Sequence, residues 1–135
     1  MNVAQFLTRA ARNFPLRSAI VHGEQSWTYE EFNRRTSRLC HALKGLGLER
    51  GDNVALLMTN CGPMLEAMFA CFRLGCGAVP INFRLHPSEF AYIIDHSQSR
   101  VVITSSEFNE SLQEVADAMP EVQHVVSTSG AQGKV

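Results

Sequence analysis

Four short apolar runs recur along the chain, NVALLM (53–58), GAVPI (77–81), RVVITS (100–105) and VQHVV (122–126), and a stretch of helical spacing separates each from the next. Such continuous runs, without polar alternation, suit strands covered on both faces. Strands separated by helices cannot pair as hairpins. They pair in parallel through right-handed helical crossovers. The alternation therefore predicts an α/β fold: an open, mostly parallel sheet with helices on both faces. At 135 residues the chain is one domain-sized unit.

The intervening stretches differ in character. Pro63 to Leu74 is apolar nearly all round, which marks a helix buried between layers. Pro87-Ser88-Glu89 opens a helix carrying Phe90, Ile93 and Ile94, and residues 107–119 place Phe108, Leu112, Val115 and Met119 on one side of another. Ahead of the alternating part, MNVAQFLTRAARNFP has apolar residues at 3, 6, 7, 10 and 14 with Arg9 and Arg12 between them, the spacing of an amphipathic helix. SAIVHG (18–23) and SWTY, joined through Gly23-Glu24-Gln25, predict a small N-terminal hairpin. Thr28 stands three residues before Glu31, a capping box. Tyr29, Phe32, Thr36, Leu39, Cys40, Leu43 and Leu46 continue that helix until Gly45 and Gly47 end it. The unit so predicted occupies residues 1–126, and the Ser/Gly-rich STSGAQGKV (127–135) has the composition of a linker or truncated end.

Charge and cysteine usage narrow the function classes. Twelve Lys+Arg against thirteen Asp+Glu give a net charge of -1 without a block of like charge, so neither a nucleic-acid nor an anionic-membrane footprint is expected. Cys40, Cys61, Cys71 and Cys76 form no CxxC pair and predict free thiols in a reducing cytoplasm. Residues 63–75, the most apolar segment, are interrupted by Glu66 and Arg73 and are too short to span a bilayer. The N-terminus lacks the continuous apolar stretch of a signal peptide.

Two glycine clusters have the wrong context for phosphate loops. Gly45 to Gly51 follows a helix instead of a strand, and Gly130 to Lys134 lacks the gap and the Ser/Thr of a P-loop. The five histidines (22, 41, 86, 96 and 124) share no paired spacing. Ser105-Ser106 lacks a nucleophile elbow and is assigned to capping the next helix. That leaves FRLGCGAVPINFRL (72–85), where Gly75 and Gly77 mark a corner and Arg84 leaves a strand at its carboxyl end. Ligands of open α/β sheets collect there, and a guanidinium fits a phosphate. Pairing with Glu89, or capping of carbonyls, is the alternative for Arg84.

WTYEEFNRRTSRLCHALKGLGLERGDNVALLMTN (27–60) followed by FACFRLGCGAVPINFRLHPSEFAYIIDHSQSRVVIT (69–104) resembles, in order and spacing, the N-terminal part of AMP-forming acyl-CoA synthetases. That adenylating family also holds luciferases and peptide-synthetase adenylation domains. The resemblance implies membership of a larger N-terminal domain, and a parent enzyme that uses ATP and Mg²⁺ to turn a carboxylic acid into an acyl-adenylate and then passes the acyl group to coenzyme A. The INFRL segment (81–85) resembles the CoA-forming branch, which implies a contact between Arg84 and a CoA phosphate. The family's phosphate loop, its aromatic-x-x-Thr-Glu motif, its ribose-binding Asp and its catalytic Lys come later in such chains. The resemblance thus implies no catalytic residue and no tight cofactor binding within these 135 residues, whose role would be scaffolding. His86 stands at an N-cap where relatives carry Thr or Ser, which predicts a cap weaker by ~1 kcal/mol. The missing remainder would leave an apolar surface near Met64–Leu74 and favour self-association. A stand-alone flavodoxin-like interaction or regulatory module is the alternative. Fatty, aryl and short-chain acids all fit the sequence, and fatty acid metabolism is one setting among them.

Overall fold

A computed structural model describes residues 1–128. The chain begins with helix α1 (Gln5–Asn13), the antiparallel hairpin of β1 (Ser18–His22) and β2 (Gln25–Thr28), and α2 (Tyr29–Gly45). Strands β3 (Asn53–Leu57), β4 (Gly77–Pro80), β5 (Ser99–Ser105) and β6 (His124–Thr128) then form one all-parallel sheet in the order β4-β3-β5-β6. Helices α3 (Gly62–Leu74), α4 (Pro87–His96) and α5 (Asn109–Glu114) make the crossovers. The predicted fold class is the observed one.

The period of two in β3 divides the core. Val54, Leu56 and Met58 face α2 and α3, where Leu39, Leu43, Ala67, Ala70 and Cys71 meet them. Ala55 and Leu57 face the other way, onto Phe90, Ala91 and Ile94 of α4 and Leu112 of α5. Helices thus cover both faces. Edge strand β4 tolerates Pro80 because its outer side has no ladder to supply.

Helix boundaries follow their local chemistry. Thr28 Oγ1 accepts from the Glu31 N–H at 3.2 Å, and the Glu31 carboxylate accepts from the Thr28 N–H at 2.8 Å, so the expected box starts α2. Gly75 ends α3 in the left-handed conformation (φ 71°). At Gly77 a Cβ would lie 2.1 Å from Asn53 Oδ1, so a larger residue at that corner would displace the Asn53 side chain that donates to the Ser97 carbonyl.

Several sequence expectations change. Residues 107–119 are not one helix. They form a 3₁₀ turn (Ser106–Phe108), the short α5 and a second 3₁₀ turn (Ala116–Ala118), an arrangement that brings both Leu112 and Met119 onto the sheet. Strand β6 spans His124–Thr128, two residues on from the strand expected at 122–126. The rest of the expected linker, with Gly130 to Lys134, lies outside the described residues.

Helix α1 buries a narrower stripe than its spacing suggests. Ala4 and Leu7 are buried, while Val3, Phe6 and Phe14 stay exposed. Conversely, of the large apolar side chains on α3 only Leu65 is exposed. The apolar surface expected near Met64–Leu74 is largely covered by α2, and Glu66 within it is buried in an ion pair with Arg35.

Candidate functional site

The sheet order fixes where a ligand could collect. From β3 the chain crosses through α3 to β4 on one side, whereas from β5 it crosses through α5 to β6 on the other. The first crossover packs on the α2/α3 face and the second on the α4/α5 face. The loops leaving the adjacent strands β3 and β5 therefore diverge over opposite faces, which defines the topological switch point of an open α/β sheet. Residues 58–61 bound that crevice on one side and residues 105–108 on the other.

Thr104 ties the two strands beneath it, its hydroxyl donating to the Leu57 carbonyl at 2.8 Å. Cys61 ends the β3 loop, and Glu107 lies close enough to act on it electrostatically. The Cys61 thiol is raised above its ordinary range, first by burial and then by Glu107 and Glu66, against a lowering hydrogen bond from the Met64 N–H. It stays protonated and is no activated nucleophile. Cys71 is pushed further, to about 12, by burial and by its neighbours Cys76 and Cys40. All four cysteines are free, as expected.

Arg84 lies one strand away, beyond the end of β4. The Ile81 N–H donates to the Leu56 carbonyl at 3.0 Å, so the ladder continues one residue past the strand before the chain turns. Asn82 makes that turn: its Oδ1 accepts from the Arg84 N–H at 3.0 Å and its carbonyl from the Leu85 N–H at 3.2 Å. Phe83 points back to the core, its ring centroid 6.3 Å from that of Phe108, and so joins the β4 loop to the β5 loop. The Arg84 guanidinium sits 5.7 Å from the Phe83 ring centroid and is exposed. Sequence reasoning placed Arg84 at the correct end of the sheet. It missed the crevice beside it, because strand order is not written in a sequence.

The alternative partner of Arg84 is otherwise engaged. Glu89 accepts from the His86 N–H at 2.8 Å, and His86 Nδ1 accepts from the Ser88 N–H at 3.3 Å. His86 caps α4 with its imidazole in place of a hydroxyl, and with Glu89 turned back onto the His86 N–H, Arg84 is without an ion-pair partner among the described residues. Ser105 makes no side-chain cap, contrary to expectation; it is buried at the end of β5. His96 stacks on Tyr92, and among the described residues no three His, Cys, Asp or Glu side chains could hold a metal ion. The β3 and β5 loops thus offer backbone ends and small polar groups, and the Arg84 guanidinium lies one strand away, beyond β4.

Comparison with known proteins converges on one group. The family model described as AMP-binding enzyme matches residues 7–134. Curated relatives include 4-hydroxybutyrate–CoA ligase 2 of Metallosphaera sedula, 38% identical over 83% of this chain and 20% of its own length. A feruloyl-CoA synthase of Amycolatopsis is 38% identical over 80% of this chain and 22% of its length. Among solved structures, the anthranilate CoA ligase AuaEII in complex with anthranoyl-AMP superimposes with a TM-score of 0.91 at 28% identity, over 96% of this chain and 25% of that one. The N-terminal domain of FACL13 from Mycobacterium tuberculosis gives a TM-score of 0.89 at 30% identity, over 94% and 34%. The chain spans about a fifth of the length of these curated relatives.

Proposed function

The chain belongs to the AMP-binding enzyme family, and from that premise we propose that it serves as part of an AMP-forming acyl-CoA ligase. That enzyme joins a carboxylic acid to ATP as an acyl-adenylate and transfers the acyl group to coenzyme A. The succession of CoA ligases among the relatives carries this reading. Within it these residues act as scaffold: the sheet presents the β3, β4 and β5 loops, and chemistry comes from elsewhere. The described residues supply no carboxylate cluster for Mg²⁺, so no step of the reaction is assigned to them. One group does fit a cofactor. Arg84 is exposed, free of carboxylates and held by an Asn82 turn, which suits a guanidinium meeting a CoA phosphate. The cytoplasm, where ATP and CoA are available, is the proposed setting, and no helix among the described residues is long and apolar enough to cross a membrane.

Pyrophosphate exchange into ATP tests the reading. A protein carrying these residues is supplied with 4-hydroxybutyrate, ferulate, anthranilate and fatty acids in turn. Exchange dependent on one acid is expected, and exchange with none overturns the proposal. In the same protein Arg84→Ala should raise KM for CoA in thioester formation while leaving exchange unchanged. Equal loss of both would show that Arg84 holds the fold instead. The 135 residues alone should support no exchange.

A further inference from the structure

Residues 1–23 carry three of the twelve basic side chains, Arg9, Arg12 and Arg17, and none of the thirteen acidic ones; Glu24 is the first. The net charge of -1 averages this asymmetry away. The same segment holds six of the nine large apolar side chains exposed among the described residues: Met1, Val3, Phe6, Phe14, Leu16 and Val21. The two sets are interleaved. Phe6 and Arg9 line one shallow depression with Met1 and Gln5, Arg9 and Arg12 line the next, and the Arg17 guanidinium lies 4.6 Å from the Phe14 ring centroid.

The helix is fixed along its buried stripe and at the borders of these depressions, which Asn2 and Thr8 also line. Leu7 and Ala4 are buried, Arg73 donates to Thr8 Oγ1 at 3.3 Å, and Asn2 Nδ2 donates to the Phe72 carbonyl at 2.6 Å. The aromatic and basic face is therefore presented outward by a docked helix, not by a frayed end. Phe6 is 56% exposed and Leu16 80%.

We propose that this face, α1 with the Phe14–Arg17 turn, docks on an anionic bilayer surface. Lipid phosphates supply the acceptors that three guanidiniums lack on their own side, and the boundary of the acyl region takes Phe6, Phe14 and Leu16 while the arginine stems lie along it. The complementarity is one of charge as well as hydrophobicity. A segment with three arginines and no carboxylate of its own is drawn to an anionic leaflet and little to a neutral one, although the exposed Glu30 is anchored beside it through its N–H to the Pro15 carbonyl. The inference is independent of the ligase reading, since no residue in it belongs to the crevice or to Arg84.

Flotation of the whole chain with vesicles tests it. Binding to phosphatidylglycerol-containing vesicles at low salt, lost at high salt and absent on pure phosphatidylcholine, is the expected result. Each arginine removed should weaken partitioning about fivefold, so Arg9→Gln with Arg12→Gln should cost more than tenfold. Phe6→Ser with Leu16→Ser should also weaken it, and the unfolding midpoint of both variants should match the parent. No flotation with the anionic vesicles, flotation undiminished by either double variant, or equal binding to phosphatidylcholine would overturn the proposal. So would light scattering that shows a dimer dissolved by Phe6→Ser and unaffected by vesicles, because the face would then be an interface between copies.

Discussion

The two faces of the sheet are packed by different means. On the α2/α3 side, long helices of 17 and 13 residues enclose polar groups as well as hydrocarbon: the Glu66 carboxylate, the Thr36 hydroxyl and the Cys71 thiol are all buried. On the α4/α5 side a 10-residue helix and a broken 6-residue one meet the strands mainly through hydrocarbon, and the buried Thr104 hydroxyl on that face is bonded to the Leu57 carbonyl within the sheet. The difference teaches where orientation comes from. Apolar contact holds elements together without fixing their angle, whereas Arg35, stacked 4.3 Å from the Trp27 ring centroid and paired with Glu66, joins the hairpin, α2 and α3 at one point. Trp27 itself lies on Gly62, where any Cβ would fall 2.1 Å from the ring. Arg73 adds a second tie, from α3 to Ser37 at 2.9 Å and to Asn33 of α2.

The largest effect should come from the apolar face. Phe90 is 2% exposed at the centre of the α4 cluster, and Phe90→Ala should cost about 3–5 kcal/mol in urea unfolding, with little dependence on pH. A loss well below that would mean that α4 settles into the space, and that this face is less tightly packed than the other.

Arg35→Ala probes the polar face and should behave differently. The Glu66 carboxyl is already raised above its ordinary range by burial, with the Arg35 hydrogen bond and charge pulling it down. A carboxyl raised in the folded state stabilises while protonated, and that contribution is lost as pH rises through its folded value. Without Arg35 the value rises further. Removing one partner of a buried pair costs about 3–5 kcal/mol, and the side-chain exposure of Arg35, 27%, sets the expectation near the lower end at neutral pH. Near pH 4.5, the ordinary value of the group, the cost should shrink as Glu66 takes up a proton. A cost independent of pH would remove the ion pair from the account and leave the other contacts of Arg35, the stacking on Trp27 among them.

The helix starts on the two faces offer a finer contrast. Thr28→Ala should cost about 1 kcal/mol. His86→Ala should cost less, because its hydrogen bond to the Ser88 N–H is exposed whereas that of Thr28 is partly buried. His86→Thr should restore or exceed the parent in thermal unfolding. A larger loss at His86 than at Thr28 would show that the imidazole does more than cap, for instance by fixing the turn that presents Arg84.

Much of this architecture is legible in the sequence because period and capping are local. NVALLM and RVVITS announce buried strands, Thr28 and Glu31 announce α2, and Gly75 and Gly77 announce the corner. What escapes is long-range or competitive. Phe108, Leu112, Val115 and Met119 have faultless helical spacing, yet the segment breaks because Asn109, Ser111 and Asp117 are weak helix formers and two tighter turns let Met119 reach the sheet. Glu66 within an apolar helix was a signal in plain view, since a buried charge needs a partner; Arg35, 31 residues away, could be identified only once α2 and α3 were seen to pack. The position of Arg84 at a strand's carboxyl end was readable. The crevice beside it was not, because it depends on β5 lying next to β3.

Thr36 sharpens the contrast at the smallest scale. It points from α2 into the polar-bearing face, is fully buried, and is the one buried side-chain oxygen without a hydrogen-bond partner among the described residues. A hydroxyl there has surrendered its hydration and received nothing for it, a loss of about 1–3 kcal/mol when a partner is removed from a made bond. Thr36→Val keeps the branched shape and deletes the unmet group, so stability should rise by about 0.5–1 kcal/mol, read as a higher urea midpoint at unchanged slope. If stability falls instead, the hydroxyl has a partner that forms as the helices shift, and the α2/α3 face holds a third polar tie beside Arg35–Glu66 and Arg73–Asn33. The sign of that one change therefore decides whether polar burial on this face is complete or still contains a flaw that hydrocarbon would repair.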